Sequence, residues 1–134
     1  MKRQAFTLVE LLVVIAIIGL LAAYVGPKYF SQVGKSEQGV ARAQIDAFAR
    51  AVNTYRLDVG GFPTTEDGLA ALTARPASAA KWIGPYLERA VPNDPWGRPY
   101  VYRSPGQPGD FEIHSLGKDG RPGGTGDDAD ISYR

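Results

Sequence analysis

The 134 residues include no cysteine, one methionine, one histidine and two tryptophans. Without cysteine no disulfide can staple a domain and no thiol can act as a nucleophile. With His114 as the lone imidazole and no Gly-x-Ser-x-Gly elbow, none of the usual nucleophile or acid–base constellations can be assembled from local motifs. Net charge is equally scarce: 15 Lys and Arg against 14 Asp and Glu leave +1, which gives no bias toward nucleic acid. The chain is therefore read as non-enzymatic, with His114, Trp96, Tyr100 and Tyr102 as packing residues.

What the chain does have is one long apolar run. Phe6 to Val25 supplies the roughly 20 residues that cross a bilayer at about 1.5 Å each. A lone carboxylate, Glu10, sits near its start and costs several kcal/mol unless something pairs with it, so it predicts a partner charge in or beside the membrane. A secretory signal peptide, with an apolar stretch of about 7 to 15 residues, fits poorly. The run is longer, it carries Glu10, and no small-x-small site follows Ala22-Ala23. A plain anchor explains the length but not Glu10. Lys2 and Arg3 precede the run, which places that end in the cytoplasm and the remainder outside it, the periplasm of a Gram-negative cell.

Gly26-Pro27 then interrupts the pattern, and a kink or melted stretch is expected there, with Lys28 at the outer membrane-water edge. Ala41, Ile45, Phe48, Val52 and Tyr55 recur at i, i+4, i+7, i+11 and i+14, one face of an amphipathic helix. Arg42, Asp46 and Arg50 form a row on another face, either solvated or set against a second subunit, whose neighbours attract by a few tenths of a kcal/mol. One helix from about Phe6 to about Leu57, weakened at Gly26-Pro27, Gly34 and Gly39, would be about 75 Å long. Its first half is apolar all round and must be covered by lipid or by copies of itself.

The remaining residues are rich in Gly and Pro. Thr64 or Thr65 starts a short helix through Leu69 and Leu72 up to Pro76, and Trp82 and Tyr86 cover the core. Asn93 to Pro99 is a turn. Pro99 to Arg103 and Phe111 to Leu116 read as strands joined through Ser104 to Gly109. The expected class is α+β, a long helix packed on a small antiparallel sheet. In the tail, Asp119, Asp127, Asp128 and Asp130 lie among glycines. Hard oxygen donors on a pliable loop suit Ca²⁺ better than Mg²⁺, while the spacing is not that of an EF-hand and a single nonapeptide-like stretch makes no solenoid. On the residues alone this tail is either a cation site or a solvated acidic loop.

Lys2-Arg3-Gln4-Ala5 followed by Phe6-Thr7-Leu8-Val9-Glu10 and the apolar run to Gly19 resembles the N-terminus of the type IV pilin-like superfamily. That resemblance implies cleavage between Ala5 and Phe6 by a prepilin peptidase, N-methylation of Phe6, and a role for Glu10 in assembly; the superfamily usually has Gly where Ala5 stands. Gly61 to Leu69, Asp94-Pro95-Trp96-Gly97-Arg98-Pro99-Tyr100 and Ser115 to Gly120 further resemble the major pseudopilin family of type II secretion, also called general secretion pathway protein G.

By that resemblance, residues 1–5 are a leader, 6–27 a transmembrane and filament-core helix, 28–57 an amphipathic helix, and 58–134 a periplasmic globular domain with a calcium loop. It implies a subunit of the bacterial inner membrane that polymerises into a helical periplasmic pseudopilus and drives export of folded proteins across the outer membrane. The implied partners are copies of itself, minor pseudopilins, the inner-membrane assembly platform, a cytoplasmic secretion ATPase, the prepilin peptidase and the outer-membrane secretin. It also implies Ca²⁺ held by the side chains of Asp119, Asp127 and Asp128 and carbonyls near Leu116 and Arg121, with Asp130 in reserve. Two other readings stand beside it: a type IV or competence pilin-like fibre subunit, and an anchored calcium-binding protein that never polymerises.

Overall fold

The structure, a computed structural model, describes residues 4–107 and 109–133. Met1, Lys2 and Arg3 of the expected leader, together with Pro108 and Arg134, lie outside the described residues. The chain divides between Lys35 and Ser36 into two compact units. Helix α1, Leu8–Val59, contributes to both.

In the first unit the helix begins two residues later than expected, because Thr7 caps it. Every large apolar side chain from Phe6 to Val25 stands exposed, as an all-round apolar helix requires. The helix is long and apolar enough to cross a membrane. It also runs unbroken through Gly26 and Pro27, so the melted stretch expected there does not occur. An interior proline costs about 3 kcal/mol, a local penalty that the ladder on either side absorbs. One turn before Lys28, Tyr24 accepts a hydrogen bond from its ammonium at 2.8 Å, and the cation lies 4.4 Å from the ring centroid.

In the second unit the expected stripe is the core. Ala41, Ile45, Phe48, Val52 and Tyr55 are buried, joined by Ala49 and Ala51. The helix stops at Gly60, whose N–H reaches the Arg56 carbonyl at 2.8 Å while its φ of 91° takes the left-handed conformation glycine favours. Arg42, Asp46 and Arg50 are exposed. Among the described residues they close no ion pair within 4.0 Å, whereas Arg56 meets Asp110 at 3.9 Å; His114 Nδ1 lies 3.0 Å from a Glu112 carboxylate oxygen.

The short helix expected over Thr64 to Pro76 shrinks to a 3-10 turn, Gly68–Leu72. Thr64 Oγ1 accepts from the Asp67 N–H at 3.1 Å, but Thr65 looks elsewhere. Its hydroxyl donates to the Ser104 carbonyl and accepts from the Ser104 N–H, both at 3.0 Å, tying the turn to the sheet. Trp82 donates to the Ala71 carbonyl at 2.8 Å and meets Tyr86 edge-on at 5.8 Å, half-covering the core as expected.

Strands β1, Val101–Arg103, and β2, Glu112–Ser115, pair antiparallel with Tyr102 opposite Ile113. A third strand, β3, Ile131–Ser132, comes from the acidic tail and pairs antiparallel with β2, Ser115 opposite Ile131. The sheet order is β1-β2-β3. Alternation sends Tyr102, Ile113, Ser115 and Ile131 inward, and Tyr100 just before β1 meets Phe48 edge-on at 5.2 Å. Tyr133 secures the tail: its N–H reaches the Ile113 carbonyl at 2.9 Å, and its ring stacks on Phe111 at 5.4 Å.

Candidate functional site

The first candidate lies at the start of α1. Phe6, the residue that would begin a cleaved chain, is 81% exposed. Glu10 has a partner that the apolar run concealed. The Thr7 N–H donates to Glu10 Oε2 at 3.0 Å, and the Glu10 N–H donates to Thr7 Oγ1 at 3.2 Å. This reciprocal pair is a capping box, legible as Thr7-x-x-Glu10, and it satisfies two of the backbone donors that a helix start leaves open. Glu10 is thus a cap of its own helix before it meets any partner charge.

The second candidate is built around a buried carboxylate. Asp94, 5% exposed, accepts at Oδ1 from the N–H groups of Trp96 at 3.1 Å and Arg98 at 2.8 Å. At Oδ2 it accepts from Ser115 Oγ at 2.7 Å. The Asp-Pro-Trp-Gly turn is therefore a hydrogen-bonded knot, closed by the Asp94 N–H on the Arg98 carbonyl at 2.7 Å and the Gly97 N–H on the Asp94 carbonyl at 2.9 Å. The residue pattern marks the turn but not its function as a hub, since only the fold brings Ser115 to it. Trp96 is half-buried, its indole donating to Glu37 on α1 at 3.1 Å, which agrees with a packing role.

The hub's charge reaches one nearby tyrosine, Tyr100. Burial, and next the Asp94 charge, push the Tyr100 hydroxyl up to about 12. Burial raises Tyr102 to about 12 as well, against a hydrogen bond near Ser104 that lowers it. Tyr100 hydrogen-bonds Gln44 and Tyr102 donates to the Pro63 carbonyl at 2.8 Å, so both are structural ties. His114 is half-buried in β2, its Nδ1 facing Glu112 at 3.0 Å without a well-aligned hydrogen bond.

The tail folds back over this hub. The Lys118 N–H donates to the Asp127 carbonyl at 3.3 Å, which brings the stretch holding Leu116, Asp119 and Arg121 beside the stretch holding Asp127 and Asp128. Asp119, Arg121 and Asp128 are exposed, and Leu116 and Asp127 are half-buried. Asp119 Oδ1 accepts from the Arg121 N–H at 3.0 Å. Asp130 Oδ2 accepts from the Gly123 N–H at 2.9 Å, so this reserve residue serves its own turn. Gln38 on α1 donates to the Gly126 carbonyl at 2.5 Å, fixing the short 3-10 turn Gly126–Asp128 to the helix.

Among the described residues no group of three or more Asp, Glu, His or Cys side chains converges as a metal-holding cluster. A cation here would need main-chain carbonyls beside carboxylates, and the tail backbone is closely packed on itself. A Cβ on Gly117 would come within 2.7 Å of the Asp128 and Ala129 carbonyl oxygens, and one on Gly124 would strike the Asp128 carbonyl. Both glycines have positive φ, 70° and 90°. The donors available are all hard oxygens, which fits Ca²⁺ and not a metal that wants nitrogen or sulfur.

Comparison with known proteins agrees with the geometry. Residues 28–134 match the family described as "Type II secretion system (T2SS), protein G", and residues 1–26 match the prokaryotic N-terminal methylation motif. The type II secretion system core protein G of Pseudomonas aeruginosa is 41% identical over 133 residues, covering 97% of this chain and 94% of that protein. The namesake from Vibrio cholerae is also 41% identical, covering 97% and 90%. Among solved structures, the major pseudopilin of the type 2 secretion system of enterohaemorrhagic Escherichia coli matches with a TM-score of 0.65 and 34% identity, over 77% of this chain and 90% of that one. A capped, exposed apolar helix, a three-stranded sheet closed by the tail, and these matches over nearly the full length place the chain in the type II secretion protein G family, the major pseudopilins.

Proposed function

We propose that the chain is cleaved between Ala5 and Phe6, methylated on the Phe6 amine, and polymerised in the inner membrane into a periplasmic pseudopilus that drives export of folded proteins. The observation that carries this reading is the exposed apolar surface of α1 from Phe6 to Val25, joined to a unit of major-pseudopilin fold. Such a surface needs lipid before assembly and other copies of the helix after it. The alternative of a type IV or competence fibre is not favoured by matches to protein G.

In the filament, Glu10 of one subunit pairs with the Phe6 amine of its neighbour, offsetting two charges that are unfavourable in an apolar core. The role is mechanical and not enzymatic: the ATPase on the cytoplasmic side supplies the work, and the platform, minor pseudopilins, prepilin peptidase and secretin act at successive stages. Lys2 and Arg3 hold the N-terminus in the cytoplasm, leaving the second unit in the periplasm.

Calcium belongs to the same proposal. The side chains of Asp119, Asp127 and Asp128 and carbonyls near Leu116 and Arg121 would hold it. When bound, the ion neutralises the clustered carboxylates and cross-links two stretches of tail, a staple for a chain without cysteine. The residues themselves keep the tail folded on the Asp94 hub and β3 in the sheet. Intact-mass and N-terminal peptide spectra of the chain from secretion-competent membranes test the central reading. An N-methylated Phe6 start is expected; retention of Met1 to Ala5, or cleavage after Ala23, would overturn it.

A further inference from the structure

Arg98 is an unexpected neighbour for a cation loop. Its Nη1 donates to the carbonyls of Gly117 and Lys118, both at 3.2 Å, and Gly120 lies so close to the guanidinium that any Cβ there would overlap it. A fixed positive charge beside a cation site is adverse by Coulomb's law, so its presence calls for a positional reason.

The contacts supply one. The Arg98 N–H is held by Asp94 Oδ1 at 2.8 Å, and Asp94 Oδ2 is held by Ser115 Oγ at 2.7 Å. Ser115 Oγ accepts from the Gly117 N–H at 3.3 Å, and the Gly117 carbonyl returns to Arg98. These bonds form a closed ring through Asp94, Ser115, Gly117 and Arg98. It fixes both the N–H and the C=O of Gly117 and the next carbonyl, at the base of the turn that carries Asp119. A guanidinium offers five N–H donors and no acceptor, so it can occupy carbonyls without competing for a metal.

Resting on the calcium reading above, we propose that Arg98 is a positioning residue for the tail loop. It takes up the carbonyls of Gly117 and Lys118, which sorts the backbone so that Asp119 and the flanking carbonyls remain available to the ion. The benefit is preorganisation: a loop whose conformation is already set loses less freedom when it binds.

Calcium titration calorimetry on the full chain in detergent tests this, with the unaltered chain beside Arg98→Lys and Arg98→Met. Circular dichroism in chelator checks that each variant is folded, and Arg98→Lys serves alone should Arg98→Met fail to fold. Loss of an orienting contact typically lowers metal affinity about 10- to 100-fold, and that loss is expected in both variants, Arg98→Met included although it removes a repelling charge. Calcium should also slow proteolysis between Gly117 and Gly126 in the unaltered chain far more than in either variant. Affinity in a folded variant equal to or tighter than that of the unaltered chain would overturn the positioning role and leave the calcium reading intact. Absence of calcium binding by the unaltered chain would overturn the calcium reading and this proposal with it.

Discussion

Ser115 and Asp94, 21 residues apart in sequence, meet in the interior at 2.7 Å, the hydroxyl donating to the carboxylate. Through this contact the Asp-Pro-Trp-Gly turn supports the strand that receives the tail. A carboxylate 5% exposed is tolerated because three donors surround it.

Asp94→Ala should therefore be among the most damaging single changes in the second unit. It strands Ser115 Oγ and the N–H groups of Trp96 and Arg98, and each buried donor left unsatisfied costs about 1–3 kcal/mol. Chemical denaturation of the full chain in detergent should show a loss of at least about 2 kcal/mol. A loss below about 0.5 kcal/mol, the range of ordinary surface changes, would contradict the hub.

Phe48→Ala removes the ring that meets Tyr100 edge-on at 5.2 Å within the core. A buried Phe→Ala change costs about 3–5 kcal/mol. The same denaturation measurement checks it, and an unchanged midpoint would count against the register of α1 on the sheet.

Tyr100 and Tyr102 set an alkaline limit. Folding moves each hydroxyl from its ordinary value of 10.0 up to about 12. Between those values the folded chain binds more protons than the unfolded one. Stability is therefore untouched below pH 10 and falls as pH rises toward 12, each tyrosine removing about 1.4 kcal/mol for every pH unit crossed. Unfolding free energy followed from pH 8 to 12 should decline only above 10, and Tyr100→Phe with Tyr102→Phe should flatten the decline. A decline that persists unchanged in the double variant would refute the assignment.

Glu10 can be dissected by charge. Glu10→Gln keeps a side chain able to complete the capping box with Thr7 but removes the charge proposed to meet Phe6 of a neighbour. It should insert, remain helical and assemble poorly, as should Glu10→Ala. Normal filaments and secretion with Glu10→Gln would mean that capping, and not pairing, is what Glu10 contributes.

Much of this was legible in the sequence because it rests on periodicity. The stripe from Ala41 to Tyr55 and the alternation of Tyr100 with Tyr102 survive unchanged in the core. What escaped was set by contacts distant in sequence or too short to have a period. β3 is two residues long and exists only because β2 offers an edge. The expected helix after Thr64 contracted to the 3-10 turn Gly68–Leu72, whose N-cap residue, Asp67, makes no side-chain cap hydrogen bond. At Gly26-Pro27 the helix does not melt, since one lost donor did not outweigh the apolar helix around it. In the tail the acidic residues were plain, but Arg98 beneath the loop was not, because nothing near it in sequence points to Gly117 or Lys118.

Self-assembly through α1 is the property on which the proposed function depends most. Chemical cross-linking of membranes containing the processed chain and its secretion machinery, read by immunoblot, should give a regular ladder at multiples of the chain mass, lost in Glu10→Ala. A processed, membrane-inserted chain that yields only monomer, in membranes active in secretion, would contradict it.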